Sequence, residues 1–483
     1  MSNDQHQRPM RTSGRTSRSC PEVLQALLSQ DLDFHRQNSG YASHNFHSFP
    51  AKFPPQLPRT FIEGLTEPGD VILDPMMGSG TTVLETYLSG RRGVGFDIDP
   101  LALMLAKAKV TPLKTNMVAQ VCNKIVKRAR ITVREQRNEL EKELGNRWDP
   151  ETRDFINYWF APETQIDLLA LTTEIERIEG SELRAFFELA FSAIIITKSG
   201  GVSLAFDLAH TRPHRAKVVI GTTGNVLLGS ELVGSSSHRV KFLTKTLRSP
   251  FREFEKRVEQ NLGGLRESDP DRSQPYLAGL LEPDPDRLEP NIALGNAQHL
   301  PLDDGSVDLI VTSPPYASNA IDYMRAHKFS LAWLGYPVGE LGQKRKEYIG
   351  GEAVMNFDFE DLPAGTRQTV ATISDRDEKK GRVLHRYFSE ITRTLREMFR
   401  VLRPGKAAVV VVGNSVMRGR DTETPTCLAE IGLQIGFEVP KIGVRTLDRN
   451  RRMMPAGSEL DLESQIQQRM HKEYVIGFYK PQG

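Results

Sequence analysis

The chain has 483 residues, 39% of them hydrophobic and 26% charged, with a formal net charge of +2. That is long for one compact domain and apolar enough for a sizeable core, which excludes wholesale disorder. No apolar run reaches the length of a membrane span, and the opening MSNDQHQRPMRTSGRTSRSC lacks the apolar stretch of a secretory leader, so a polar tail on a cytoplasmic protein is expected.

In chain order, the first patterned segment is GDVILDPMMGSGTTVLETYLSG, residues 69–90. It reads as a short apolar strand, a glycine loop and a helix capped by Thr81 or Thr82. RRGVGFDID, 91–99, reads as a second strand ending in acids, and PLALMLAKAKV, 100–110, as a second helix. A β-α-β-α start predicts a parallel sheet with helices on its faces. Residues 116–146 read as a long charged helix, too polar for the central core, with further helices near 163–178 and 181–197. Residues 198–248 hold β-branched runs, and 266–291 carry Asp-Pro-Asp-Arg twice, at 269–272 and 284–287, as in a linker. The α/β pattern resumes at IALGNAQHLPLDDGSVDLIVTSPPY, 292–316, with two short strands. A helix over about 381–402 should stop at Pro404-Gly405, before a buried strand at 407–415 and a final strand pair in 436–447 and 473–481. One α/β domain thus looks interrupted by an insertion at roughly 115–290.

The glycine loop DPMMGSGTT sits where α/β sheets bind ligands, yet lacks the Gly-Lys-Ser/Thr ending of a phosphate loop and does not match GxGxxG. A carboxylate just before the glycines, Asp74, suits a cationic group better than a phosphate. Asp97 and Asp99 close the second strand, a position that commonly grips ribose hydroxyls. Together they suggest a positively charged nucleoside. A structural turn with a surface acid would be the plain alternative for the loop alone.

In LIVTSPPYASN, 309–319, a buried strand stops at Ser313, whose hydroxyl is followed by the stiff Pro314-Pro315 pair and Tyr316. Two fixed acceptors, the Ser313 hydroxyl and the Pro314 carbonyl, beside an aromatic ring could hold a flat base bearing an exocyclic amine. The lone pair of such an amine is delocalised. Accepting hydrogen bonds from its two N–H groups makes it more sp3-like and stabilises the positive charge that develops as it is alkylated.

These segments resemble the S-adenosylmethionine-dependent DNA amino-methyltransferases. Asp74 to Thr82 is similar to their cofactor motif, and Thr312 to Tyr316 to their catalytic motif, (Ser/Asn/Asp)-Pro-Pro-(Tyr/Phe/Trp). GFDIDP, 95–100, resembles their second-strand acid, and LGNAQHLP, 294–301, the segment that touches the cofactor adenine through Asn296. HSFPAKFPPQLP, 47–58, resembles the motif that closes over the methionine end of the cofactor. Met76 and Met77 stand where an aromatic is usual, and Asn296 where Asp is more common. The order, cofactor motif first and catalytic motif after a large insertion, resembles the family's alpha group.

The resemblance implies an α/β, Rossmann-like methyltransferase with a mixed, mostly parallel sheet and a large inserted, mainly helical target-recognition region. Its expected parts are a polar tail and helix (1–39), the first catalytic part (40–114), the insertion (115–290) and the second catalytic part (291–483). S-adenosyl-L-methionine would be held by His47, Phe49, Lys52, Asp74, Pro75, Gly78, Gly80, Thr81, Asp97, Asp99 and Asn296. Ser313, Pro314, Pro315 and Tyr316 would be catalytic, with Tyr316 stacked on a base flipped out of double-stranded DNA. Arg325 and Lys328 just after that motif (with His327 between), and Arg445, Arg449, Arg451 and Arg452 near the C-terminus, are candidates for phosphate contacts. AHTRPHRAK, 209–217, is a weaker candidate for reaching a groove.

Ser-Pro-Pro-Tyr is typical of enzymes acting on cytosine N4. Adenine-N6 methylation is the nearest alternative, ahead of an RNA guanine amine, a protein glutamine, or a non-catalytic DNA-binding subunit. Cytosine-C5 chemistry needs a nucleophilic cysteine after a proline, and none of Cys20, Cys122 and Cys427 follows one. Nor do the cysteines have metal-ligand spacing, so no metal is expected. A restriction or defence-system component is the further partner such an enzyme can have.

Overall fold

The computed structural model describes residues 18–50, 52–197, 199–208, 213–234, 237, 240, 243–266, 288–317, 322–447 and 472–482. The tail, both Asp-Pro-Asp-Arg repeats and Arg449, Arg451 and Arg452 lie outside them, as do 209–212 of the basic stretch.

The strands, in chain order, are β1 (Val71–Asp74), β2 (Arg92–Asp97), the short β3 (Ala205–Asp207), β4 (His214–Arg215), β5 (Val218–Ile220), β6 (Val226–Leu228) and β7 (Thr244–Thr246), then β8 (Asn291–Leu294), β9 (Val307–Thr312), β10 (Leu402–Gly413), β11 (Val416–Met417), β12 (Arg420–Asp421), β13 (Glu438–Thr446) and β14 (Lys472–Tyr479). Seven of them form the main sheet in the order β13-β14-β10-β9-β1-β2-β8. From β10 to β8 every pairing is parallel, and β14 runs antiparallel to both β10 and β13.

Strand alternation supplies two cores. Ile72, Leu309, Val311, Val409 and Val475 face the helices Cys20–Leu27 and Gln56–Leu65. Leu73, Ile310, Ala408, Val410 and Ile476 face the helices Glu378–Val401 and Thr424–Ile435. Both faces being covered, β9 is buried at every position and carries the continuous apolar run Leu309–Val311 rather than an alternating pattern. The expected stop at Pro404-Gly405 differs. The helix hands over directly at Leu402, which already pairs with Val307, and the Pro-Gly step is a bulge inside β10 with Gly405 at φ 80°.

The segment expected as one charged helix is two, Thr115–Glu135 and Arg137–Asn146. Its polarity misled: Val118, Cys122, Ile125, Val126 and Ala129 make a buried stripe at helical spacing. That stripe joins Leu168, Leu169, Leu101 and Leu105 in one apolar cluster, so the inserted helices share a core with the second helix of the sheet domain. Two further helices of this region were not expected, Pro150–Trp159 and Pro250–Arg266. The first is short and starts on Pro150 behind Asp149, which caps it by accepting from the Thr152 amide. Among the described residues no helix is long and apolar enough to cross a membrane, and no cluster of three or more metal-ligating side chains occurs.

Candidate active site

The chain leaves β1 toward β2 and β8 on one side of the sheet, while β9 and β10 lie on the other. The carboxyl ends of β1 and β9 therefore flank a topological switch point, where open α/β sheets bind ligands. β1 delivers Asp74 there and β9 delivers Thr312. Thr312 Oγ1 donates to Asp74 Oδ1 at 2.7 Å, and the Met76 amide donates to the same oxygen at 3.2 Å. Burial pushes the Asp74 carboxyl up to about 6.

The glycine loop is shaped from below by β2. The Met77 amide donates to the Phe96 carbonyl at 3.0 Å, and the Gly78 amide to Asp97 Oδ2 at 2.8 Å. Met77 occupies space that only glycine at 95 leaves open, since a Cβ there would meet its sulfur at 2.6 Å. Gly78 and Gly80 both have positive φ, 46° and 70°. They serve different neighbours. A Cβ on Gly78 would approach Phe49 to 3.3 Å, whereas one on Gly80 would strike the Ala106 Cβ at 2.7 Å. Beneath the loop, the buried Lys109 donates from Nζ to the Ser79 carbonyl at 2.7 Å. Burial, with Lys52 near, holds its ammonium well below the usual range.

The two second-strand acids divide their work. Asp97 accepts the Gly78 amide and, at 2.9 Å, the Asp99 amide. Burial first, and then the charge of Asp99, push its carboxyl up to about 7. Asp99 caps the helix Pro100–Val110 by accepting from the Leu101 amide. Its other oxygen lies 2.6 Å from His327 Nδ1 and accepts the Tyr348 hydroxyl at 2.8 Å. Burial alone would raise Asp99, but His327 and Tyr348 outweigh it and hold the carboxyl below its ordinary value.

Above these groups lies a cleft with about 890 Å³ of empty space. Of the residues singled out from sequence, Phe49, Lys52, Asp74, Pro75, Gly78, Thr81, Asp97, Asp99, Asn296, Ser313 and Pro315 line it. Lys52 donates to the His44 carbonyl at 2.9 Å, and burial pushes its ammonium down to about 8. Asn296 uses its side-chain oxygen to accept the Gln298 amide. Sequence reasoning missed the walls supplied by Ile98, Tyr323, Glu347 and Tyr348. Tyr323 stacks on Phe49 with ring centroids 5.5 Å apart. Nothing local marks these tyrosines, because the element that carries Tyr323 reaches the cleft only through the fold.

Four expected residues are not in the cleft wall. Gly80 packs on Ala106, as described, and Pro314 is buried behind Pro315. His47 faces the insertion: its Nε2 lies 2.9 Å from Ser192 Oγ, and burial drives it down to about 3. Tyr316 is half-buried against the sheet core and donates its hydroxyl to Glu473 Oε1 at 2.8 Å.

Arg445 is a correction. Its place in a basic run suggested a phosphate contact, but it lies on β13 with 5% exposure and donates from Nη1 to Glu473 Oε2 at 2.7 Å. Strand pairing sets it opposite Glu473 on β14 and turns it inward. Arg325 and Lys328 line a second groove, of about 720 Å³, with Arg345, Trp159 and Phe329. Arg325 and Arg345 share Asp322, and Lys328 lies 4.9 Å from the Phe155 ring centre.

A family model described as DNA methylase matches residues 5–108. Among curated proteins, the type II methyltransferase M.MvaI of Kocuria varians is 26% identical over 420 residues, covering 83% of this chain and 84% of that one. M.BsoBI of Geobacillus stearothermophilus is 24% identical over 459 residues, covering 86% and 82%. M.PvuII of Proteus hauseri is 43% identical over 80 residues, covering 17% and 23%.

Proposed function

We infer that this chain, which belongs to the S-adenosylmethionine-dependent DNA amino-methyltransferases of the N4-cytosine/N6-adenine family, methylates the N4 amine of cytosine. DNA is its substrate and S-adenosyl-L-methionine its cofactor. The observation that carries the choice of base is Ser313 in the cleft wall, one residue past the Thr312–Asp74 hydrogen bond.

The residues present fit the cofactor. Buried carboxylates at Asp74 and Asp97 favour a cation, the Asp97 position suits ribose, and Gly78 keeps clear a space that a Cβ would fill toward Phe49. We assign cofactor contacts to Phe49, Lys52, Asp74, Pro75, Gly78, Thr81, Asp97 and Asn296. When bound, S-adenosylmethionine supplies an electrophilic methyl group on a sulfonium.

The chain's own part is to hold an amine in line and stabilise its developing charge. The Ser313 hydroxyl, in the cleft wall, accepts one N–H of the amine, and the Pro314 carbonyl, which lies behind that wall in the free protein, is assigned the other once the base is bound, which frees the lone pair. The stiff Pro314-Pro315 pair fixes both acceptors. As the N–C bond would form and the methyl group's bond to the sulfonium sulfur would break, leaving a neutral thioether, the amine would become cationic. The same acceptors stabilise that charge until the extra proton leaves to solvent. A neutral serine performs this without a base of its own. Tyr316 holds the flipped ring. We assign backbone phosphates to Arg325, Lys328 and Arg345, which give their groove a net positive charge despite Asp322. Residues 115–290, which pack Trp159 into that groove, are proposed to read the target sequence.

The test is nucleoside analysis by mass spectrometry after the purified enzyme has labelled mixed-sequence duplex DNA. N4-methyldeoxycytidine is the expected product. N6-methyldeoxyadenosine would replace the base assignment, and an unmodified duplex would overturn the reading as a whole.

A further inference from the structure

Tyr316 belongs to the motif assigned to catalysis, yet its hydroxyl is bonded to one member of a buried ion pair. Glu473 accepts Tyr316 Oη on Oε1 at 2.8 Å and Arg445 Nη1 on Oε2 at 2.7 Å. Arg445 and Glu473 are 5% and 9% exposed and are direct cross-strand partners in the β13/β14 ladder. A buried Arg–Glu pair is poor value for stability, because desolvation of both charges offsets their attraction. Here the cost is larger, since Arg445 Nε is buried without a partner among the described residues. Such a pair is better explained by what it holds in place.

We propose that Arg445 and Glu473 are positioning residues that fix the ring of Tyr316 for the flipped base. Arg445 anchors the Glu473 carboxylate, and the carboxylate pins the phenol at its far end. Burial and the negative charge of Glu473 keep that hydroxyl protonated and donating. A ring held at both ends has its rotation about Cα–Cβ frozen before the base arrives. Stacking then costs no ordering of the side chain, and the base's amine meets Ser313 in line. The antiparallel pair β13/β14, outside the strands that build the cofactor site, thereby contributes to the target-base site. The inference rests on the reading of Tyr316 as the base-holding ring.

The test compares Tyr316→Phe, the pair Arg445→Met with Glu473→Met, and all three together. The paired change removes both charges at once and leaves no lone buried ion. The readouts are single-turnover methyl transfer to duplex DNA, KM for DNA, the Kd of S-adenosylhomocysteine, and the thermal midpoint. Tyr316→Phe should slow transfer about tenfold or more, with KM and cofactor Kd moved by less than about threefold. The triple variant should be no slower than the paired one, because all three groups act through one ring. Tyr316→Phe at the wild-type rate, or a triple loss equal to the product of the other two, would overturn the proposal. Tyr316→Phe removes a single oxygen, so it decides the matter even if the paired variant fails to fold. A wild-type enzyme that methylates adenine instead overturns only the base assignment and leaves this comparison in force, whereas one that methylates no DNA overturns both.

Discussion

Thr312 and Asp74, 238 positions apart in sequence, are joined by a 2.7 Å hydrogen bond from the threonine hydroxyl to the buried carboxylate. One is the last residue of β9 and the other the last of β1, adjacent parallel strands. The carboxylate heads the cofactor loop, and the hydroxyl belongs to the residue before Ser313. In the proposed mechanism the bond fixes the electrophile's site against the amine's site across the switch point, at the place where a misalignment of an ångström is most costly.

Thr312→Val keeps the shape and removes that donor, leaving Asp74 buried with one partner fewer. Cofactor affinity should fall by roughly tenfold, the usual scale of a lost hydrogen bond to a charged group, while Thr312→Ser stays near wild type. Isothermal titration with S-adenosylmethionine measures both. A valine variant that binds as well as the serine variant would detach Thr312 from the cofactor site.

The pH dependence follows from two raised carboxyls, Asp74 at about 6 and Asp97 at about 7, against an ordinary 3.8. A carboxyl raised by burial is protonated more readily in the folded chain. Its stabilising contribution is complete below the unfolded value and is lost as pH rises through the folded one. The ligand-free protein should thus lose stability from about pH 4 to about pH 7 on account of these two groups. The cationic cofactor favours their ionised forms, so its affinity should rise over about pH 5.5–7.5, and Asp97→Asn should flatten that rise. Titrations at four or five pH values would show the slope, and affinity falling with pH in the wild type would reverse its assumed sign.

The two loop glycines should separate stability from binding. Gly80→Ala places a Cβ 2.7 Å from the Ala106 Cβ at a left-handed φ, which should cost about 2 kcal/mol or more and lower the thermal midpoint. Gly78→Ala carries left-handed strain as well, at φ 46°, but its Cβ meets only the edge of the Phe49 ring, at 3.3 Å on the cleft side, so its midpoint should fall less than that of Gly80→Ala. Gly78→Ala should weaken cofactor binding more than it lowers the midpoint. Equal midpoints for the two variants would contradict the division.

For the second groove, Lys328→Met or Arg345→Met should weaken DNA binding at all sequences and reduce the slope of log K against log salt by about 1 each. Fluorescence anisotropy at several salt concentrations gives the slope. An unchanged slope would place the phosphates elsewhere.

The strands and the cofactor loop were readable because their determinants are local. Alternating or continuous apolar runs mark β1, β9 and β10, and glycines with a preceding acid mark the loop. What escaped depends on partners distant in sequence. Arg445 looked like a surface cation because it sits in a basic run. Its inward direction is set by strand parity, and its partner Glu473 is 28 residues on. His47 sits in a segment that does reach the cleft at Phe49 and Lys52, yet its own ring is taken by Ser192 of the insertion. Asp99 lines the cleft as Asp97 does, but its bonds to a helix cap, His327 and Tyr348 depend on partners the sequence does not place beside it. The stripe Val118–Ala129 was hidden by the charges around it, since the mean polarity of a helix says little about one buried face.

The central claim, transfer to cytosine N4 directed by Ser313, is tested most directly by methylation-sensitive long-read sequencing of DNA from cells expressing the wild type or Ser313→Ala. The account predicts N4-methylcytosine within one sequence motif for the wild type and its loss in the variant. N6-methyladenine, or a Ser313→Ala genome marked as fully as the wild type, would contradict it.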